Sequence, residues 1–518
     1  MRGVTVQEAI NLAIEHQNAG RLPEAEGLYR QVLSVAPDHP EALHWLGAIA
    51  MRCGALEPAR QLIARSLEIA PDYPEAQCSM GDVLSSLGKA QESVEWYRRA
   101  LEARPGFVEA INNLGTVLAE LGRREEAMAE YRKAQALLPD SPQPWGNMSQ
   151  ALLDEGRTDE AIDAARQAIA RDAQFADAHN NLGAGLLRKG LIEQALSSFR
   201  HAVELRSDFP LARSNLGMAE LLTGDFDNGW RDYEWRVRLP TSYQFMPGSS
   251  QPKWSGQDLS GRTILLHAEQ GYGDVIQFSR YIPMVAQRGG RIIVGCHAPL
   301  KRLVSRISGV TQCVTNEQTI PDFDIYCPLM SLPGVFGTGL DTIPAPIPYI
   351  HADPVIAQRW RDRLAGESRR KVGLAWAGRA EHTNDRNRSI PLESFAPLLG
   401  IRSLRWVSLQ KGDPTAEAAQ CGFDLIDWTN ELSDFEDTAG LIDALDLVIC
   451  VDTAVAHLAA AMGKPVWLLL PFVPDWRWML HRDDSPWYPT MRLFRQAAAG
   501  QWESVIQRIT RELKALST

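Results

Sequence analysis

The chain has no excess of positive charge, no close cysteine pair and no long apolar run, and each absence removes a class of function. Lysine and arginine number 53 against 64 aspartates and glutamates, for a net charge of −11, which argues against a nucleic-acid footprint. The imbalance is uneven. Residues 1–240 carry 25 basic and 35 acidic side chains, and the remainder 28 and 29. An acidic front half suits a neutral or basic polypeptide partner, and any phosphate site in the neutral back half has to be built locally. The 7 cysteines (53, 78, 296, 313, 327, 421 and 450) form no Cys-x-x-Cys pair and no Cys/His cluster with zinc spacing. Reduced, mostly buried thiols in a cytoplasmic protein are therefore expected. No window approaches the ~18 apolar residues of a membrane-spanning helix, and the opening MRGVTVQEAINLAIEHQ lacks the apolar core of a secretory signal. At 45% hydrophobic and 23% charged residues the composition is that of a folding chain, and one too long for a single core.

What is present, first of all, is repetition. Glycine recurs every 34 residues at Gly20, Gly54, Gly88, Gly122, Gly156, Gly190 and Gly224, and a Leu or Met does the same from Leu12 to Leu216. Small residues follow each turn (Ala25, Ala59, Ser93, Ala127, Ala161, Ala195), then bulky ones (Tyr29, Tyr97, Tyr131, Phe199, Tyr233), and Pro37, Pro71, Pro105 and Pro139 close four copies. Such a pattern describes a helical hairpin. Glycine ends the first helix in the left-handed conformation, the small residue lets the second helix approach, the aromatic fills the gap between hairpins, and proline stops the second helix. Period and residues match the tetratricopeptide pattern, in seven copies over 1–240. The last copy ends in DFDNGWRDYEWR, where Trp230, Tyr233 and Trp235 read as a capping layer that docks the next domain. Asn113, Asn147, Asn181 and Asn215 also lie 34 apart. A column of amides on the concave wall can bond a peptide backbone without reading its sequence, although asparagine is also a common consensus residue at that helix position. The column resembles the asparagine ladder of the O-GlcNAc transferases, which implies a protein or peptide acceptor in the repeat groove.

Residues 241–260, rich in Pro, Gly and Ser, read as a linker. From 261 to 355, RTILLHAEQGYGDVIQFSRYIPMVAQRGGRIIVGC reads strand, glycine loop, helix, strand, a Rossmann-like βαβ start. Gly271 and Gly273 permit close backbone approach. Asp274 is either a helix cap or a carboxylate facing an interlobe crevice, and Glu269 is the rival acid in the same loop. Asp322–Asp324 spells the Asp-x-Asp metal motif of another glycosyltransferase fold, but its neighbours read as a buried strand, so no metal is expected.

The second lobe, 356–500, contains the strands of KVGLAWAG, RWVSLQKGD and DLVICV, the last running into DTAVAHLAAAMG and KPVWLLL. A helix opening at Asp452 and Thr453, with no bulky residue in its first turn, offers free amides and a positive dipole end to a diphosphate. The order Asp452, Thr453, His457, Leu458, Ala459, Ala460, together with the Gly-Asp pair of the first lobe, resembles glycosyltransferase family 9, the ADP-heptose:lipopolysaccharide heptosyltransferases. The resemblance implies Asp274 as the general base, and Thr453 and the Ala454 amide as diphosphate ligands. Asp452 holds a sugar or ribose hydroxyl or caps the helix, and His457 supports the loop or the diphosphate. Arg388 stands before Ile-Pro where the family has a basic residue before Trp-Pro. It is the first candidate to offset the leaving group, with Lys411 second. Gln410 and Lys411 match a Gln and a Lys that contact base or phosphate in the O-GlcNAc transferases. Trp476, Trp478, Trp487 and Tyr488 either stack on sugar or base, or pack a core. The helix of 501–518, with Trp502, Val505, Ile509 and Leu513 on one face, is expected to return to the first lobe.

The fold class expected is an all-α tetratricopeptide superhelix followed by an α/β, two-lobed Rossmann-like (GT-B type) domain. The function implied is inverting, metal-independent transfer of a hexosyl or heptosyl group from a nucleotide sugar to a protein Ser, Thr or Asn, with flagellin or another surface protein as a plausible acceptor by analogy. The nucleotide sugar is a co-substrate and no cofactor is required; homo-oligomerisation is compatible with the sequence. A lipopolysaccharide or glycan acceptor, or a non-catalytic repeat scaffold, are the alternatives.

Overall fold

A computed structural model describes residues 5–239, 250–344, 346–379, 384–412, 414–420 and 422–516; residues 241–249 of the expected linker and Cys421 lie outside them. The chain forms two compact units, Met1–Gly185 and Leu186–Thr518. The division falls within the sixth repeat rather than at residue 240.

Fourteen helices, from Val6–Asn18 to Phe226–Tyr233, make the seven expected hairpins. Each turn glycine takes positive φ, between 72° at Gly122 and 91° at Gly224, a region closed to most side chains. The small residues Ala25, Ala59, Ser93, Ala127 and Ala161 are fully buried. The aromatic residues act differently from expectation. Tyr97 and Tyr131 pack within their own hairpins, against Gly81 and Gly115 of the first helix, where an added Cβ would come within 2.5 and 2.7 Å of the rings. The Tyr97 hydroxyl then donates to Asp82 at 2.8 Å. Between the second and third repeats, buried His44 lies 3.2 Å from the Tyr73 hydroxyl and 2.9 Å from Ser79 Oγ.

The second unit holds the last hairpins and two parallel sheets. In the first lobe β1 (Thr263–His267), β2 (Arg291–Gly295), β3 (Val310–Val314) and β4 (Ile325–Pro328) lie in the order β3-β2-β1-β4. In the second, β5 (Arg370–Ala375), β6 (Leu404–Ser408), β7 (Leu425–Ile426), β8 (Leu447–Val451), β9 (Val466–Leu470) and β10 (Met491–Arg495) lie in the order β10-β9-β8-β5-β6-β7. Strands such as β8, buried throughout, read as continuous apolar runs because helices cover both faces. In both sheets the order reverses at the first strand of the lobe, β1 or β5, and open α/β sheets bind ligands beyond the carboxyl ends of strands at such a point.

One apolar core runs through both lobes and the seventh repeat. It contains Phe226, Trp230 and Tyr233 of the repeat, Val275 and Phe278 of the first lobe, and Leu458, Trp476 and Trp487 of the second. The capping layer is thus Trp230, whose indole donates to the Thr338 carbonyl at 2.8 Å, with Tyr233. Trp235 instead lies between Arg213 and Arg238, whose guanidinium carbons are 4.6 and 4.5 Å from its ring centre. The connection joins the second lobe before residue 356, since the Tyr349 amide donates to the Ala461 carbonyl at 3.1 Å.

One expectation is corrected. The helix Trp502–Leu516 does not return to the first lobe. Its apolar face, Val505, Ile506, Ile509 and Leu513, closes the second lobe's own outer cluster against Phe395, Leu398 and Phe494, and Arg492 of β10 pairs with Glu512. Among the described residues no helix is long and apolar enough to cross a membrane.

Candidate active site

The loop after β1 leads into the short helix Tyr272–Phe278, and the loop after β8 into the helix Ala454–Ala461. These two elements meet. A Cβ on Gly273 would come within 2.8 Å of the His457 ring and 3.7 Å of the Ala454 Cα, so only glycine admits this approach. Asp274 and Thr453, each next in sequence to one of these contacts, are brought together across the lobes.

Gly271, not Asp274, is the N-cap of its helix. Asp274 sits further on in the first turn, part-buried, and accepts from the Gly271 amide and from Arg477. Burial raises its pKa, and the Arg477 guanidinium opposes the rise. Glu269 is placed otherwise. Its buried carboxylate accepts from Arg236 Nη2 at 2.7 Å, and the same nitrogen donates to Ser331 Oγ at 3.0 Å. It therefore ties the end of the repeat array to the first-lobe loop.

Thr453 is the N-cap of its helix, and its hydroxyl is buried without a hydrogen-bond partner. The carboxylate of Asp452 accepts from Trp478 Nε1 at 2.8 Å rather than capping the helix. Burial, with Asp475 nearby, pushes its pKa up to about 6. Arg388 reaches the same strand end, donating to the Asp452 carbonyl at 3.0 Å and to Asp385 at 3.2 Å. Gly378 leaves it room, since a Cβ there would come within 2.5 Å of Arg388 Nη2. His457 is buried, with Nδ1 3.0 Å from the Tyr488 hydroxyl. Burial, reinforced by Arg477 and Arg280, holds its pKa well below the usual value, so it is a neutral support and not a cation for phosphate.

Gln410 and Lys411 carry loops. The Gln410 carboxamide accepts from the Trp376 and Ala377 amides at 3.0 and 2.9 Å and donates to the Ala377 and Lys411 carbonyls at 3.1 and 3.0 Å. That uses its full capacity. Lys411 Nζ donates to the Thr429 and Leu432 carbonyls at 2.7 and 2.8 Å. Trp476, Trp478, Trp487 and Tyr488 are all buried, so they pack the core and do not stack on a ligand. The aromatic at the cleft edge is Tyr272, its ring centre 5.2 Å from those of both His297 and Phe435. Asp324 accepts from the Thr263 amide at 2.7 Å, and among the described residues no cluster of three or more His, Cys, Asp or Glu could hold a metal ion.

Within the repeats, Asn113 donates to Asp82 at 2.8 Å, and Asn147 accepts from Gln143 at 3.3 Å. Asn181 is only 5% exposed and donates to the Gly146 carbonyl at 3.1 Å. Asn215 is half-buried. Asn113 and Asn181 thus link neighbouring repeats. Sequence reasoning missed Arg477, whose side chain is 7% exposed. The available signal was a cation between two tryptophans in the Asp-Trp-Arg-Trp run, where an apolar setting demands a buried acidic partner.

Comparison with known proteins agrees with this organisation. Residues 18–79, 78–142 and 147–208 match tetratricopeptide repeat models, and residues 415–469 match glycosyltransferase family 9 (heptosyltransferase). Protein FlbA of Caulobacter vibrioides is 28% identical over 324 residues, 56% of this chain and 53% of that protein; the chain spans about half the length of the curated relative it matches. Among solved structures, a tetratricopeptide repeat protein from Parabacteroides merdae is 16% identical, covering 45% of this chain and 93% of that one at a TM-score of 0.39. A thermophilic tetratricopeptide repeat protein of Thermus thermophilus is 24% identical over 35% of this chain and 100% of that one, at a TM-score of 0.33. The matched family 9 segment contains Asp452, Thr453, Ala454 and His457 but neither Asp274 nor Arg477. The chain thus joins an N-terminal array of tetratricopeptide repeats to an α/β part that carries a glycosyltransferase family 9 segment.

Proposed function

We propose that the protein is a cytoplasmic glycosyltransferase that moves a hexosyl or heptosyl group from a nucleotide sugar onto a polypeptide side chain, with inversion and without a metal. The observation that carries the reading is the approach of the Gly273–Asp274 turn to the N-terminus of the helix Ala454–Ala461. A general base and a diphosphate site have to lie that close for a direct displacement. Asp274 takes the proton of the acceptor hydroxyl or amide as its oxygen or nitrogen attacks the anomeric carbon. The bond from that carbon to the diphosphate oxygen breaks, and the leaving oxygens gather charge. The Ala454 amide, the unpartnered Thr453 hydroxyl and Arg388 stabilise that charge. Asp452, its pKa pushed up to about 6 by burial, holds a sugar or ribose hydroxyl, while Gln410 and Lys411 keep the loops beyond β5 and β6 in place.

The acceptor in this reading is a peptide lying on the repeats of the first unit, met by the half-buried Asn113 and Asn147, with Asn181 bracing the wall. The acidic balance of residues 1–240 favours a neutral or basic acceptor. Purified protein offered a panel of nucleotide sugars and co-expressed polypeptides should add a hexose or heptose mass to an intact polypeptide. Transfer to lipopolysaccharide alone would overturn the polypeptide acceptor, and absence of donor hydrolysis and transfer across the panel would overturn the enzyme.

A further inference from the structure

The ion pair between Asp274 and Arg477 joins the two lobes, and it leaves the proposed base occupied. Arg477 spends all three guanidinium nitrogens: Nε donates to Gln277 at 2.6 Å, Nη1 to Asp475 at 2.8 Å, and Nη2 to Asp274. One cation therefore serves two carboxylates, with Asp452 also in its field. Acid exceeds base at this point of the cleft. Beside it, Thr453 presents a buried hydroxyl with no partner at the start of the eight-residue helix Ala454–Ala461. A cation shared between carboxylates, next to an unsatisfied hydroxyl at a helix N-terminus, is placed to meet an incoming anion. Arg477 meanwhile offsets part of the basicity that burial gives Asp274, so the same carboxylate set free is the stronger proton acceptor.

We propose that Arg477 is an exchanging cation, which neutralises Asp274 while the diphosphate site is empty and transfers to a diphosphate when one binds at Thr453 and Ala454, freeing Asp274 to act as base. The inference rests on the glycosyltransferase reading above. Guanidinium suits the task because its planar fork pairs with carboxylate and phosphate alike. The chemistry becomes ordered: donor first, active base second, acceptor deprotonation last. Arg477 is a positioning residue for Asp274 and a binding residue for the leaving group.

The test is binding of inorganic pyrophosphate to the full chain by calorimetry. Asp274→Asn and Asp475→Asn each release one arm of Arg477, and each should tighten pyrophosphate about tenfold. Arg477→Gln should weaken it at least tenfold, and Arg477→Lys should restore part of the loss. Thermal unfolding by circular dichroism establishes that each variant is folded, and Asp475→Asn serves where Asp274→Asn is not. If Arg477 is only a strut, the aspartate variants bind pyrophosphate no more tightly than the parent, and the exchange is overturned while a diphosphate site survives. If the parent and both aspartate variants bind no pyrophosphate, the diphosphate site falls and the exchange with it.

Discussion

Two acids five residues apart, Glu269 in the loop after β1 and Asp274 in the helix that follows, have different surroundings. Asp274 stands part-buried beside the second lobe, whereas Glu269 is buried on Arg236. Replacing Asp274 by Ala should lower transfer by about 10²–10⁴-fold, the usual worth of a general base, with nucleotide-sugar binding retained or tightened in equilibrium dialysis. Glu269→Ala should act on stability, since it leaves a buried guanidinium uncompensated. A cost of about 3–5 kcal/mol is expected, visible in urea unfolding, with the activity of the folded fraction preserved. The sequence made both acids visible but could not separate them, because the residue that distinguishes them, Arg236, lies 33 positions upstream. The positions of Thr453 and Ala454 were legible because a strand end and a helix start dictate where they stand. Gln410 was not: whether a side chain serves a ligand or its own backbone depends on the turn geometry around it.

At the scale of the hairpin, glycine has two separate uses that substitution can distinguish. Gly88 turns the chain with φ of 76° and has nothing within 4 Å of an added Cβ, while a Cβ on Gly81 would meet the Tyr97 ring at 2.5 Å. Gly88→Ala should cost about 1 kcal/mol through backbone strain. Gly81→Ala should cost about 1–3 kcal/mol through overpacking, and should be relieved by Tyr97→Leu, which Gly88→Ala would not be. Chemical denaturation of these variants checks this. The period of 34 revealed the turning glycines at once, but the glycines that seat the tyrosines repeat less often and carry no turn signal. The same stretch contains a pH-sensitive element. Burial lowers the His44 pKa from its ordinary 6.5 to about 4, so between those values the unfolded chain binds the extra proton and the folded one does not. Stability is therefore present above pH 6.5 and lost as pH falls towards 4, at up to about 1.4 kcal/mol per unit. Hydrogen exchange in Pro40–Arg52 and Pro74–Ser86, corrected for intrinsic rates, should lose protection from pH 7 to 5, and His44→Gln should flatten that loss.

For the whole chain, the seventh repeat belongs with the α/β part. A protein beginning at residue 241 would lose Phe226, Trp230 and Tyr233 from the shared core and Arg236 from Glu269, and it should aggregate or unfold well below the parent. One beginning at Ala176, which keeps the helix Ala176–Arg188 whole, should stay soluble and retain pyrophosphate binding while losing polypeptide modification. Soluble yield and thermal unfolding compare the two. The end of the 34-residue period and the Pro, Gly and Ser of 241–260 placed the border at the linker, because a repeat pattern says where a motif ends and not which neighbour its apolar face wets. That shared core also constrains how the two lobes can move. Swinging them apart as rigid leaves would bring water onto Phe278, Trp476 and Trp487 at once, so in the proposed reaction product release calls for small displacements at the rim, where Tyr272 meets His297 and Phe435.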